Sequence, residues 1–96
     1  MPLKLTKTEI DILFQAMGKA RVCGVKTPHA FMVFLDDEHQ NYLDRARANE
    51  QKSESTKRTL RQRRMFGQIA MRQRAFAKRL SDIITKIDAS RRENNA

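Results

Sequence analysis

Tryptophan is absent from this 96-residue chain, cysteine occurs once, proline twice and glycine three times. A lone Cys23 excludes an intramolecular disulfide and leaves any cysteine-based zinc site dependent on ligands from elsewhere. The glycines form no Gly-rich phosphate loop, and no nucleophile stands with an evident base. His29 and His39 are ten residues apart, which on a helix gives no i, i+4 ligand pair, so no metal site is expected. Asp36, Asp37 and Glu38 are chain neighbours that point in different directions on a helix, so they make no catalytic pair. The expectation is a protein without enzymatic activity, cofactor or small-molecule substrate. No run approaches the roughly 18 apolar residues of a membrane span, and the opening MPLKLTKTEI lacks the apolar core of a signal peptide. A soluble, intracellular protein with no membrane partner is therefore expected.

Positive charge is what the chain has in excess, at a formal net +9. Its location is uneven. Residues 1–50 carry seven basic and seven acidic side chains, and residues 81–96 carry three of each. Between Gln51 and Leu80, ten basic residues face only Glu54. They are Lys52, Lys57, Arg58, Arg61, Arg63, Arg64, Arg72, Arg74, Lys78 and Arg79. Such a block attracts polyanions, and in a nucleic-acid binder it is the source of salt-dependent affinity. Arginine predominates over lysine, which suits bidentate phosphate contacts.

Helix signals account for nearly the whole chain, and its length suits one small domain, residues 1–96. Thr6 can cap Glu9, Glu9 can reach back to Thr6, and Leu5 can staple to Ile10, which starts a helix at about residues 7–22. Its apolar positions Ile10, Leu13, Phe14, Met17 and Ala20 make one stripe, and Gly24 is a natural stop. Thr27 and Pro28 open a second helix, predicted over about residues 28–48, with Phe31, Phe34, Leu35, Tyr42 and Ala46 on one face. Glu38 falls on that face, so either an ion pair to an arginine of the third helix or of a partner, or a tilt toward solvent, is expected. The polar stretch NEQKSEST, residues 49–56, reads as either a loop or an exposed helical bridge; the break is the favoured form, with Ser53 or Ser55 able to cap a new helix.

A third helix is predicted over about residues 56–89, with residues 90–96 frayed. Phe66, Ile69, Phe76, Leu80, Ile83 and Ile87 recur at heptad-like spacing, interrupted by Gln73, and a register shift is expected near Gly67. At about 100° per residue, Arg63, Arg74 and Lys78 fall on one flank of this seam, and Arg61, Arg64, Arg72 and Arg79 on the other. The fold class is thus all-α: two shorter antiparallel helices, packed through Ile10, Leu13, Phe14 and Met17 against Phe31, Phe34, Leu35 and Tyr42, and a long basic C-terminal helix.

The stretch KTPHAFMVFLDDEHQN, Lys26 to Asn41, sets Pro28, Ala30, Phe31 and Phe34 where a helix opens with two aromatics three residues apart. It resembles the first helix of an HMG box, over about a sixth of the chain. It departs from the family in its shorter proline-to-alanine gap, its lack of tryptophan and the helix upstream. The resemblance implies a chromatin protein that bends DNA through the minor groove, with Phe31 or Met32 as a surface wedge. The spacing of Phe31 and Phe34 taken alone reads as core.

The expected function is sequence-tolerant nucleic-acid binding of chromatin-packaging or architectural type, with DNA favoured over RNA. Lys57, Arg58, Arg61, Arg63, Arg64, Arg72, Arg74, Lys78 and Arg79 would contact phosphates, and the cluster KRTLRQRR suggests a nuclear location. The rival expectation is a helical adaptor. In it, the seam of Phe66, Ile69, Phe76, Leu80, Ile83 and Ile87 forms a coiled-coil homo- or hetero-oligomer, and the arginines meet an acidic protein surface.

Overall fold

The computed structural model describes residues 3–94, with side chains through residue 92. These residues form three α-helices and no strand: α1 Lys7–Val22, α2 Pro28–Glu54 and α3 Leu60–Asn94, the last being the longest. The fold is all-α, as the periodicity predicts.

Local chemistry sets the first helix boundaries. The Glu9 N–H donates to Thr6 Oγ1 at 3.1 Å and the Thr6 N–H donates to Glu9 Oε1 at 2.9 Å, a complete capping box. At the other end of α1, Gly24 takes a left-handed φ of 83°. That turn lets the Val25 N–H reach the Ala20 carbonyl at 3.0 Å and the Gly24 N–H reach the Arg21 carbonyl at 3.1 Å. Together they satisfy carbonyls that the helix end leaves unpaired. Thr27 then caps α2, its Oγ1 accepting from the Ala30 N–H at 3.1 Å.

Two boundaries differ from expectation. α2 continues six residues past Ala48, through the polar stretch, to Glu54. Glu50, Gln51 and Lys52 are good helix formers, and Arg74 and Arg63 of α3 bond to Glu50 and Ser53 in this segment. α3 begins at Leu60 rather than near Thr56. Its cap is neither Ser53, which lies inside α2, nor Ser55, which lies in the turn. Thr59 caps it reciprocally with Gln62: the Gln62 N–H donates to Thr59 Oγ1 at 3.2 Å and the Thr59 N–H to Gln62 Oε1 at 3.1 Å. α3 runs unbroken through Gly67 and stays helical through residues 90–94, where the sequence predicts fraying. Asn95 and Ala96, the end of that predicted tail, lie outside the described residues.

The chain forms two compact units. The first unit holds α1, α2 up to Asp37 and α3 from Arg79 onward. Its core is aliphatic: Leu35, Leu80 and Ile83 are fully buried, with Ile12 and Ala20 beside them. Each large side chain so buried contributes about 1.5–3 kcal/mol before the entropy of ordering is counted. The inward face of α1 keeps the predicted stripe only at Ala20, which is buried, and Leu13, which is half-buried. Glu9, Ile12 and Ala20 point inward, while Ile10, Phe14 and Met17 are exposed, Phe14 to 66%. The reason is polar. The buried Glu9 carboxylate receives the Lys86 ammonium at 2.6 Å, and a helix that turns Glu9 toward α3 must turn Phe14 away.

The second unit spans Glu38–Lys78, where the rest of α2 and the first part of α3 pair antiparallel across the turn at residues 55–59. Its fully buried side chains are all alanine: Ala46, Ala70 and Ala77. Small residues at the contact let two helix backbones come close. The Tyr42 and Phe76 rings, 4.5 Å apart, add an aromatic contact.

Candidate nucleic-acid interface

The second unit carries eleven Lys and Arg against four Asp and Glu, so most of the net charge of +9 resides there. Residues 55–81 contain no acidic side chain at all. The hairpin divides these cations into two sets with different surroundings.

One set is used internally. Arg74 binds Glu50 Oε1 through Nε at 2.8 Å and Nη2 at 2.5 Å. Beside it the Asn49 side-chain amide donates to Gln73 Oε1 at 2.8 Å, so two polar cross-links join α2 to α3 at one level. Arg63 donates from Nε to the Ser53 carbonyl at 2.9 Å, which satisfies one of the unpaired carbonyls at the end of α2. Arg58 lies 4.8 Å and Lys52 5.2 Å from the centre of the Phe66 ring. These cation–π contacts are worth roughly 0.5–1 kcal/mol each where exposed.

The other set points outward. Arg61, Arg64 and Arg72 are exposed, and none makes an ion pair with a described residue. With Gln68 they follow one another at steps of three and four along the side of α3 away from Ala70 and Ala77. At a rise of about 1.5 Å per residue the row is about 16 Å long. Lys57, in the turn, and Lys78 are also exposed and outside any ion pair with a described residue. Arg79, in the first unit, is exposed near Asp82, Thr8 and Lys86.

The nine cations predicted to bind phosphate therefore separate into Lys57, Arg61, Arg64, Arg72, Lys78 and Arg79, which are available, and Arg58, Arg63 and Arg74, which have internal contacts. The apolar seam is occupied within the chain: Leu80 and Ile83 are fully buried, and Phe66, Ile69, Phe76 and Ile87 are half-buried. Phe31 and Met32 are half-buried, with the Phe31 ring 6.3 Å from that of Phe34. Glu38 is half-buried as well, and the buried carboxylate among the described residues is Glu9. The pair Thr59 and Gln62 carries a local helix-start signal, whereas Glu50 as the partner of Arg74 has none, being 24 residues away.

Among the described residues no group of acidic, histidine or cysteine side chains is placed to hold a metal ion. No helix among them is long and apolar enough to cross a membrane. The chain thus belongs to the broad class of small helical proteins with a basic helical hairpin. No protein family, curated protein or solved structure matches it.

Proposed function

We propose that the protein binds nucleic acid through the outer side of its basic hairpin, without catalysis and with little sequence preference. The observation that carries this reading is the row of Arg61, Arg64 and Arg72, three exposed guanidinium groups outside any described ion pair, in a stretch with no acid. Lys57 in the turn and Lys78 on the other flank of α3 are further exposed cations of the same unit. Arg58, Arg63 and Arg74 hold the hairpin in shape and reach phosphate only secondarily. Double-stranded DNA is the favoured ligand, because the major groove of B-DNA admits a straight α-helix while that of A-form RNA is too narrow. The role is architectural or packaging, in the nucleus.

The test is fluorescence anisotropy with a labelled DNA duplex over a salt series. Three to five phosphate contacts lower affinity by roughly 40- to 500-fold between 50 and 200 mM salt, from a slope of about −0.9 per contact. Replacing Arg61, Arg64 and Arg72 together with glutamine should reduce that slope by about three. Undiminished affinity in the triple variant would overturn the proposal.

A second reading, a helical adaptor on an acidic protein surface, is favoured by Leu60, Met65 and Met71. These are 60%, 49% and 72% exposed among the arginines. Absence of DNA binding at low salt would make it the leading one.

A further inference from the structure

The exposed side of α3 in the second unit is not uniformly cationic. At about 100° per residue, Gln68, Met71 and Ala75 fall within an arc of about 60° on the side away from Ala70 and Ala77. All three are exposed, Met71 to 72%, and the Gln68 amide makes no hydrogen bond with a described residue. Lys78 borders this arc on one side and Arg61 and Arg72 border it on the other, all three exposed. Arg64 lies inside the arc, one turn before Gln68, while the exposed Leu60 and Met65 fall outside it. The next residue within the arc after Ala75 is Asp82, a carboxylate, so the uncharged line stops at Ala75.

An α-helix seated in the major groove turns its central residues to the base edges and its flanks to the phosphates of the two groove walls. Cations on both flanks with an uncharged line between them match that division. Arg64 has a side chain long enough to reach a phosphate from inside the arc, as proposed above, whereas Gln68, Met71 and Ala75 have no charge to offer one. A glutamine amide both donates and accepts, as the N7 and the N6 amino group of adenine require, and apolar side chains pack on the thymine methyl group. From Gln68 to Ala75 the helix rises about 10 Å, which matches about three base pairs at about 3.4 Å each.

We infer that Gln68, Met71 and Ala75 face the floor of the major groove and give the protein a preference for A·T pairs. Gln68 reads the adenine edge, and Met71 and Ala75 meet thymine methyl groups. This inference rests on the nucleic-acid reading above and names the bases that the same surface prefers. The preference is about tenfold, small beside the phosphate attraction, so binding remains sequence-tolerant.

The experiment is fluorescence anisotropy of the protein with labelled duplexes of equal length, their central pairs either A·T or G·C. Two further A·T duplexes carry uracil in place of thymine, which removes the methyl group, or deazaadenine in place of adenine, which removes N7. Both changes leave the minor-groove edges as they were. The A·T duplex should bind about tenfold more tightly than the G·C duplex, and each modified duplex should lose about threefold. Gln68→Ala with Met71→Ala should bring the ratio of A·T to G·C affinity to about one, with an unchanged melting temperature because both side chains are exposed. Equal affinity for A·T and G·C in the unaltered protein overturns the inference and leaves the phosphate reading standing. So does a preference for G·C, which Arg64 reading guanine would produce. An A·T preference that survives uracil, deazaadenine and the double variant also overturns it, since DNA shape or the minor groove would then be its source. Absence of binding to every duplex at low salt overturns the nucleic-acid reading itself and this inference with it.

Discussion

The two units of this protein bury different kinds of side chain. In the first, Leu35, Leu80 and Ile83 are fully enclosed and an ion pair, Glu9 to Lys86, is set beside them. In the second, the enclosed side chains are Ala46, Ala70 and Ala77, and the helices are joined by Asn49 with Gln73, Glu50 with Arg74 and Arg63 with the end of α2. Alanine contributes little transfer free energy, so the hairpin depends more on named polar and aromatic contacts and on close approach of its helices. It also bears most of the net charge, whose self-repulsion opposes compactness. A core of large aliphatic groups tolerates a neutral surface around it. A hairpin with an alanine core must instead commit some of its own cations to structure, and the proposed ligand surface is made from those left over.

The first unit should be sensitive to truncation of its core and the second to enlargement. Ile83→Ala in the first removes a fully buried side chain and should destabilise by about 2–5 kcal/mol. Ala70→Leu in the second overfills a contact with no room and should cost about 1–3 kcal/mol. Urea unfolding of both variants measures this, and hydrogen exchange should place each loss in its own unit. If Ala70→Leu were neutral or stabilising, close approach of the hairpin helices would be the wrong account of their packing.

Acid should weaken the first unit through Glu9. The Lys86 ammonium and the Thr6 backbone N–H hold the Glu9 carboxyl below its ordinary value of 4.5. A carboxyl so depressed binds fewer protons folded than unfolded near that pH. Its contribution is therefore complete above the ordinary value and is lost as pH falls through the depressed one. Lys86→Met should accordingly lower the melting temperature at about pH 6 and differ much less from the unaltered protein at about pH 3. An equal difference at both values would mean that Lys86 acts through its methylenes alone.

The smallest expected effect separates the two sets of arginines. Arg61→Gln with Arg64→Gln should change stability by no more than about 0.5 kcal/mol, as surface changes away from special contacts do. Arg63→Gln withdraws a charged donor from the Ser53 carbonyl and should cost about 1 kcal/mol. Thermal melts of the two variants, read beside their DNA affinities, show whether structural and ligand-facing cations are distinct.

Much of the fold is legible because its signals act over three or four residues. The capping box at Thr6 and Glu9, the turn at Gly24, the cap at Thr27 and the cap at Thr59 are each complete within a few positions, and the all-α class follows from them with the apolar periodicity. The concentration of charge between Gln51 and Leu80 is likewise a property of the sequence alone. The inward side of α1 is not legible. Two faces of that helix are apolar, and the bulkier one, Ile10, Phe14 and Met17, loses because Glu9 meets a lysine 77 residues away. The end of α2 and the division of the arginines are decided the same way, by partners 24 and 10 residues distant that no local pattern announces. Sequence by itself determined where most helices begin and where charge accumulates, since backbone capping and side-chain ionisation are local. Only the tertiary structure decided which side of each helix is inside and which cations face outward, because that choice depends on groups brought together by folding.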